Sequence, residues 1–401
     1  MTKTKFFITN LFFYSILFPF LSIYPIGSDL QPIFIIVALL IIVFRYVKFF
    51  KRDIFLLSIA LLSLFYFNYL TFDLSPFKGF GAYLSICISI FVLLTYEKIF
   101  NLNIFISVLK KSTIIYFISS IIFYIFPELF TAFQLNFVRS INTLETGMSF
   151  RGISTYFTEP GLFGGHMAGL LVLFIGLFEK GVINFKKIFP YVLMIIIMII
   201  MSKSGMGYLY LIFIGLYIII SNRKKVKIVV PIILLLSFLT SYNYESIIEL
   251  NRGLSAIVSL SDLSNLSDFS ILKRIYDFLL GFFILFEYPF GMGVNFTQSN
   301  VVDIITSYPF LYNFYDTYKE IGFVSSTALF LAYYGLFLFL IIFYIIKRYK
   351  PRFINVFFAL CFMSFSFSGA YPLIWILFIQ DYVISKFKTI KLVKIKSKMI
   401  N

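Results

Sequence analysis

The chain has 401 residues and a formal net charge of +16; hydrophobic residues make up 60% of it and charged residues 13%. Ordinary soluble domains run at roughly 45–50% and 25%, so a disordered chain, a soluble nucleic-acid binder and an ordinary cytosolic enzyme are excluded. Long apolar runs recur from end to end, which makes the chain an all-α integral membrane protein whose apolar surface is covered mostly by lipid.

A helix needs about 20 apolar residues to cross the hydrocarbon core. On that measure there are about 12 transmembrane helices: 6–26, 30–46, 54–71, 79–96, 112–127, 158–178, 188–202, 205–222, 226–241, 323–346, 353–369 and 371–385. The first follows Lys3 and Lys5 and has no small-residue cleavage site, so it reads as a retained anchor. The pairs 188–202/205–222 and 353–369/371–385 read as tight hairpins. Basic residues set the orientation. With the N-terminus inside, the inner segments hold 26 of the 34 Lys and Arg residues, and the outer segments hold 14 of the 18 acidic ones. Both termini are then cytoplasmic, and the Lys-rich stretch 386–398 lies on the anionic inner leaflet. The positive charge therefore orients the chain and implies no nucleic acid. Cys87 and Cys361 both fall inside apolar spans and offer neither a disulfide framework nor a metal spacing.

The sequence reads as a single polytopic membrane domain over 1–401 with two long outer segments, a smaller one at 128–157 and a large one at 242–322. Long loops without function are uncommon. Within the large one, residues 269–288 predict a helix stopped by Pro289. Its apolar part, 275–286, is too short to span and is interrupted by Asp277, which fits an interfacial or re-entrant helix. Gly291 and Gly293 then predict a tight backbone path.

Four groups of residues stand out as candidates for chemistry. The first is Phe150–Gly169. Arg151 lies just outside the membrane, and Glu159-Pro160 begins the span at 158–178, with Pro well suited to a first helical turn. Glu159 there is either a helix cap favoured by the dipole or a chemical group. Gly161, Gly164, Gly165 and Gly169 smooth one helix face. His166, the only histidine, falls about two turns below Glu159 on the same face; it is either a proton-handling group or an interhelical hydrogen-bonding residue. The second group is Lys273-Arg274 with Pro289–Asn295, where a cation pair heads a helix and either binds phosphate or snorkels to headgroups. In the third, Tyr308, Tyr312, Tyr315 and Tyr318 alternate with Asp316, Lys319 and Glu320. This is a sugar-facing aromatic surface or an ordinary interfacial belt, and Asp316 or Glu320 could serve as a general base. The fourth is the turn Ser202-Lys203-Ser204-Gly205, whose lysine faces the outer side or solvent. There is no Walker A loop, GxGxxG, HExxH or CxxC, so no nucleotide, nicotinamide, metal or haem cofactor is expected.

Taken together, these features resemble the O-antigen polymerase (Wzy-type) and O-antigen ligase superfamily. The resemblance rests on about twelve spans with both ends inside, and on Arg151, Gly152, Phe157, Glu159 and Pro160 leading into a span. It rests also on a late outer loop with Arg274 opening a helix that ends in Pro289–Gly293, and on the Ser202–Gly205 turn, similar to a Ser–Arg–(Thr/Ser)–Gly turn in relatives. It implies a multi-pass protein of the bacterial inner membrane, acting at the periplasmic face on oligosaccharide repeat units linked to undecaprenyl diphosphate. The growing glycan would pass from its lipid diphosphate to the terminal sugar of a new unit, with no metal or nucleotide. Arg151 and Arg274 are the implied diphosphate ligands, with Lys203 or Arg139 in support and Tyr312 and Tyr315 near sugar. Glu159 leads the candidates for the acceptor-deprotonating group, followed by Glu320, Asp316 and His166. Implied partners are the lipid-linked substrate, membrane lipid and a chain-length regulator protein. Residues 242–322 contain no histidine, where the ligase branch carries one, so polymerase is favoured over ligase. A lipid-linked oligosaccharide flippase is the transporter alternative; its short loops throughout would not match 242–322.

Overall fold

The computed structural model describes residues 3–22, 33–44, 50–51, 53–58, 77–138, 152–157, 159–221, 269–292, 298–309, 311, 325–365 and 371–400. Their regular structure is helix throughout, with no strand among them. Apolar side chains face outward as well as inward: Val43 is 71% exposed, Ile220 81% and Phe353 79%. Water does not tolerate so much bare apolar surface, but hydrocarbon does. The protein is an α-helical membrane protein.

Two described helices are each long and apolar enough to cross a membrane, α4 (Leu102–Ile125) and α6 (Pro160–Glu179). Several expected boundaries move, and local chemistry explains how. The expected span 6–26 is only α1 (Lys3–Leu17) as a helix, because Pro19 disfavours helical backbone at the residue before it. The span expected at 112–127 starts ten residues early, since the Asn101 carboxamide caps α4 by accepting from the Asn103 and Ile104 amides at 3.1 and 3.2 Å. Lys110 and Lys111 thus lie within a helix and not in an inner loop. Pro127 ends α4 and opens α5 (Pro127–Phe137) inside the stretch read as the smaller loop. Helices α2 (Ile33–Val43) and α3 (Phe77–Ile99) fall near their expected places. Helices α7 (Phe185–Met201) and α8 (Gly205–Ser221) form the expected tight hairpin. The span expected at 226–241, and most of 54–71, lie outside the described residues.

In the segment that the sequence assigns to the large outer loop, the predicted helix is present as α9 (Phe269–Glu287), ending before Pro289. A second one, α10 (Gln298–Ser307), was not anticipated. It packs on α9 through Leu280, Ile284, Val301, Ile304 and Ile305. The Tyr308 hydroxyl donates to Glu287 at 2.7 Å, and that bond, with some desolvation, holds the phenol above its ordinary pKa.

The span expected at 323–346 is broken. Residues α11 (Ser326–Tyr334) and α12 (Leu336–Tyr349) meet at a 111° bend. Gly335 sits at the bend with φ 51°, a conformation open to glycine. A break strands backbone groups, and in lipid each must find a partner. The Leu336 amide donates to Pro289 O at 2.8 Å, and the Met292 amide donates to Ala332 O at 2.6 Å. The tight path predicted around Gly291 is real, with φ 85°, and its neighbours satisfy the broken helix. Gly293 lies outside the described residues. The chain closes with α13 (Phe353–Phe365) and α14 (Pro372–Ile400). The last span was expected to end at 385, but the helix runs on through its lysines, which are good helix formers.

The chain divides into two compact units. The first comprises Met1–Pro19, Pro32–Val108 and Ser270–Asn401, the second Phe20–Gln31 and Leu109–Phe269. The first holds a buried ionic network joining helix ends that the sequence assigns to the inner side. Arg348 bridges Asp53 and Glu97, the latter at 2.9 Å; Lys98 binds Asp53 at 2.9 Å; Tyr349 donates to Glu97 at 2.8 Å. Both carboxylates are essentially inaccessible. Burial alone would raise the Asp53 pKa, but the Lys98 bond, the Phe50 amide and Arg348 outweigh it and hold the carboxyl below its ordinary value. The network's stabilisation is therefore present above the carboxylate range and is lost as pH falls through it. Removing one partner of a buried network leaves an uncompensated charge, costing about 3–5 kcal/mol. Arg348→Ala should accordingly lower the thermal midpoint of the purified protein markedly. Lys386→Ala, which removes a half-exposed neighbour 3.7 Å from Glu97, should change it little. Equal effects of the two would mean that Arg348 does not bind the network together.

Candidate functional site

The second unit brings together two motifs that lie some fifty residues apart in the sequence. Gly152, next to Arg151, has φ 100°, and a Cβ there would run into the Ser202 carbonyl and come within 3.0 Å of Lys203 Cβ. The Ile153 amide donates to Met201 O at 3.2 Å. The segment 152–157 is thus seated on the turn between α7 and α8. Lys203 itself is left-handed, with φ 49°; a lysine is seldom found there, and such strain often marks a functional turn.

Helix α6 joins the same place. Gly164 lies against Gly207, where an added Cβ would be 3.1 Å from the Gly207 Cα and 3.1 Å from the Ser202 hydroxyl. Gly161, two residues beyond Glu159, faces the Ser204 hydroxyl. The smooth glycine face therefore accommodates a neighbouring backbone, as the sequence pattern allowed. Pro160 occupies the first turn of α6 as expected. Glu159 is the N-cap residue, yet its side chain makes no capping bond, and it is exposed. A capping hydrogen bond is thus absent, while the position at the positive end of the helix dipole is kept. Lys203 is partly exposed, and neither it nor the Glu159 carboxylate is engaged by another described side chain.

A buried amide holds the segment in shape. Gln134 of α5 directs its Nε2 at Ser154 Oγ (3.0 Å), at the Thr155 carbonyl and at Phe157 O (3.0 Å). The Tyr156 hydroxyl pairs with Ser119 of α4. Thr155 adopts φ 44° inside this cradle and is fully buried. Sequence reasoning missed Gln134; its only signal was an amide in the apolar run of α5, one turn from the buried Phe130.

His166 lies within the packing of α6, below the exposed N-cap residue Glu159. It is fully buried, with ring centroids of Phe157 at 4.9 Å and Tyr116 at 5.4 Å. Phe157 also packs on Phe20, Tyr116 and Phe163. The histidine belongs to the aromatic packing under the segment, while Glu159 faces outward.

Among the other predicted residues, Arg274 lies on α9 in the first unit. Arg139, Arg151, Tyr312, Tyr315, Asp316, Tyr318, Lys319 and Glu320 lie outside the described residues. No group of His, Cys, Asp and Glu suited to a metal occurs among the described residues. No family model matches the chain, and no curated protein is significantly similar to it. The arrangement in the second unit is thus the segment 152–157 seated on the turn that carries Lys203, with α6, whose N-cap is the exposed Glu159, packed on the same turn. A lysine on such a turn can hold an anion, and an exposed carboxylate can accept a proton from a hydroxyl.

Proposed function

We propose that this protein polymerises undecaprenyl-diphosphate-linked oligosaccharide repeat units at the periplasmic face of the bacterial inner membrane, in the synthesis of a surface polysaccharide. The observation that carries the reading is the seating of Gly152 on the Ser202–Lys203 turn. Two motifs of the superfamily resemblance, remote in sequence, occupy one spot beside Glu159. In this reading, as the resemblance implies, Arg151 and Arg274 are diphosphate ligands, with Lys203 or Arg139 in support. The bond between the donor's anomeric carbon and the diphosphate oxygen breaks, and a bond from that carbon to the acceptor hydroxyl forms. Glu159 takes the hydroxyl proton, and the departing diphosphate keeps the electron pair. Arginine suits this role because its planar, permanently charged fork meets phosphate bidentately.

The proposed topology has about twelve spans with both termini cytoplasmic. It is supported by the way contacts sort within each unit. The ionic network joins helix ends assigned inside, while residues 134, 152–157 and 202–204 are all assigned outside. A cysteine replacing the exposed Thr306 of α10 should react with a membrane-impermeant maleimide in intact spheroplasts, with the unsubstituted chain as blank. Labelling only after lysis would overturn the topology.

A gel of surface and lipid-linked glycans from a deletion strain tests the function. A single repeat unit, still exported and attached, is the expected result. Long chains left on the lipid diphosphate would mean a ligase, and units trapped inside a flippase. Glu159→Gln should remove chain extension without lowering the amount of protein, because no capping bond is lost. Loss of extension only in proportion to loss of protein would return Glu159 to a structural role.

A further inference from the structure

We infer that Asp277 is a positioning residue that holds the outer-loop helix α9, and Arg274 with it, on the first half of the broken span, α11; this rests on the polymerase reading only for the role of Arg274.

The sequence shows Asp277 as a charge interrupting an apolar helix. The structure gives that charge a task. Asp277 is fully buried, and its Oδ2 accepts the Ser325 amide at 2.8 Å. Ser325 is the N-cap of α11, and its own hydroxyl accepts from the Ala328 amide at 3.3 Å. The carboxylate thus fastens α9 to the start of α11. One turn further along, Gly281 lies so close to Ala328 that an added Cβ would come within 2.8 Å of the Ala328 Cα. Beyond the end of α9, Pro289 O and the Met292 amide pair with the two sides of the Gly335 break. The stretch 277–292 therefore meets α11 twice over in its first turn, at Ser325 and Ala328, and again at its end, at Ala332. A buried carboxylate at the first of these joints is a costly choice for mere packing. It is well suited to fixing register, because an amide hydrogen bond is directional where apolar contact is not. Arg274 lies three residues before Asp277 on the same helix, so the register set by Asp277 is also the register of Arg274.

The test pairs Asp277→Ala, which removes the acceptor, with Asp277→Asn, which keeps one. Hydrogen exchange of the purified full-length protein reads the joint without any activity. In Asp277→Ala, amides of α9 and of 325–334 should exchange about tenfold faster or more, and Asp277→Asn should restore most of the protection. Unchanged exchange in Asp277→Ala overturns the inference, as does equal loss in both variants. Glycan length then reads the consequence. Asp277→Ala should shorten chains as Arg274→Lys does, and the double variant should be no worse than the more severe single one. Loosened exchange with full-length chains, in a strain where Arg274→Lys shortens them, overturns the role toward Arg274. If Arg274→Lys also leaves chains at full length, it is the polymerase reading of Arg274 that fails, and exchange alone decides the joint.

Discussion

Alanine at Arg151 or at Arg274 should stop chain extension while leaving the amount of membrane-inserted protein unchanged. In the proposed reaction the leaving diphosphate gains negative charge as its bond to sugar breaks. A fixed cation aimed at that charge lowers the barrier without reorganising at the moment of reaction, and removing such a group costs on the order of 100- to 1000-fold in rate. Lysine at either position keeps the charge but loses the bidentate fork, so Arg151→Lys and Arg274→Lys should fall between wild type and alanine. The measurement is the ladder of glycan lengths in a deletion strain carrying each variant, with protein quantified in the same membranes. Full-length polymer from both alanine variants at normal protein level would dispose of the diphosphate clamp.

Gly152→Ala should be the most damaging single methyl group in the second unit. Its φ of 100° is a glycine conformation, and the new methyl would collide with the Ser202 carbonyl and crowd Lys203 Cβ at 3.0 Å. Backbone strain of this kind costs about 1–3 kcal/mol and forced overpacking about as much again. The segment can escape only by leaving the turn, which gives up the Ile153–Met201 bond and separates the two motifs. Gly161→Ala is the matched control, since its nearest described neighbour would be the Ser204 hydroxyl at 3.9 Å, an ordinary contact. Folded protein and glycan length should both fall in Gly152→Ala and stay near wild type in Gly161→Ala. Normal folding and activity in Gly152→Ala would mean that the segment does not need its seat on the turn.

How much of this was legible beforehand depended on the range of the forces involved. Pro160 at the head of α6 and the end of α9 before Pro289 were both readable, because each is set by proline's own backbone limits. The early start of α4 was readable too, but the cap at Asn101 was overlooked in favour of the two lysines that follow. Gly335 was different. Glycine is common in membrane helices that do not break. Nothing local marks this one, because the break exists only where Pro289 and Met292 arrive to pair with it. Helix α10 carries a weak apolar face and forms by packing on α9, which hydropathy in a loop does not reveal.

The candidate site divides the same way. Arg151, Glu159, Lys203 and Arg274 stood out in the sequence because charge near a membrane is expensive and rarely idle. By itself the sequence determined that the chain is helical, lives in a bilayer and carries its few charges in clusters, since hydropathy, proline and capping act within a few residues. Only the tertiary structure decided that Gly152 rests on the Ser202–Lys203 turn, that Gln134 and Asp277 are bolts rather than stray polar groups, and that His166 is packed among aromatic rings. Those outcomes depend on hydrogen bonds and close contacts between residues tens of positions apart, and a one-dimensional pattern holds no record of which distant partner will arrive.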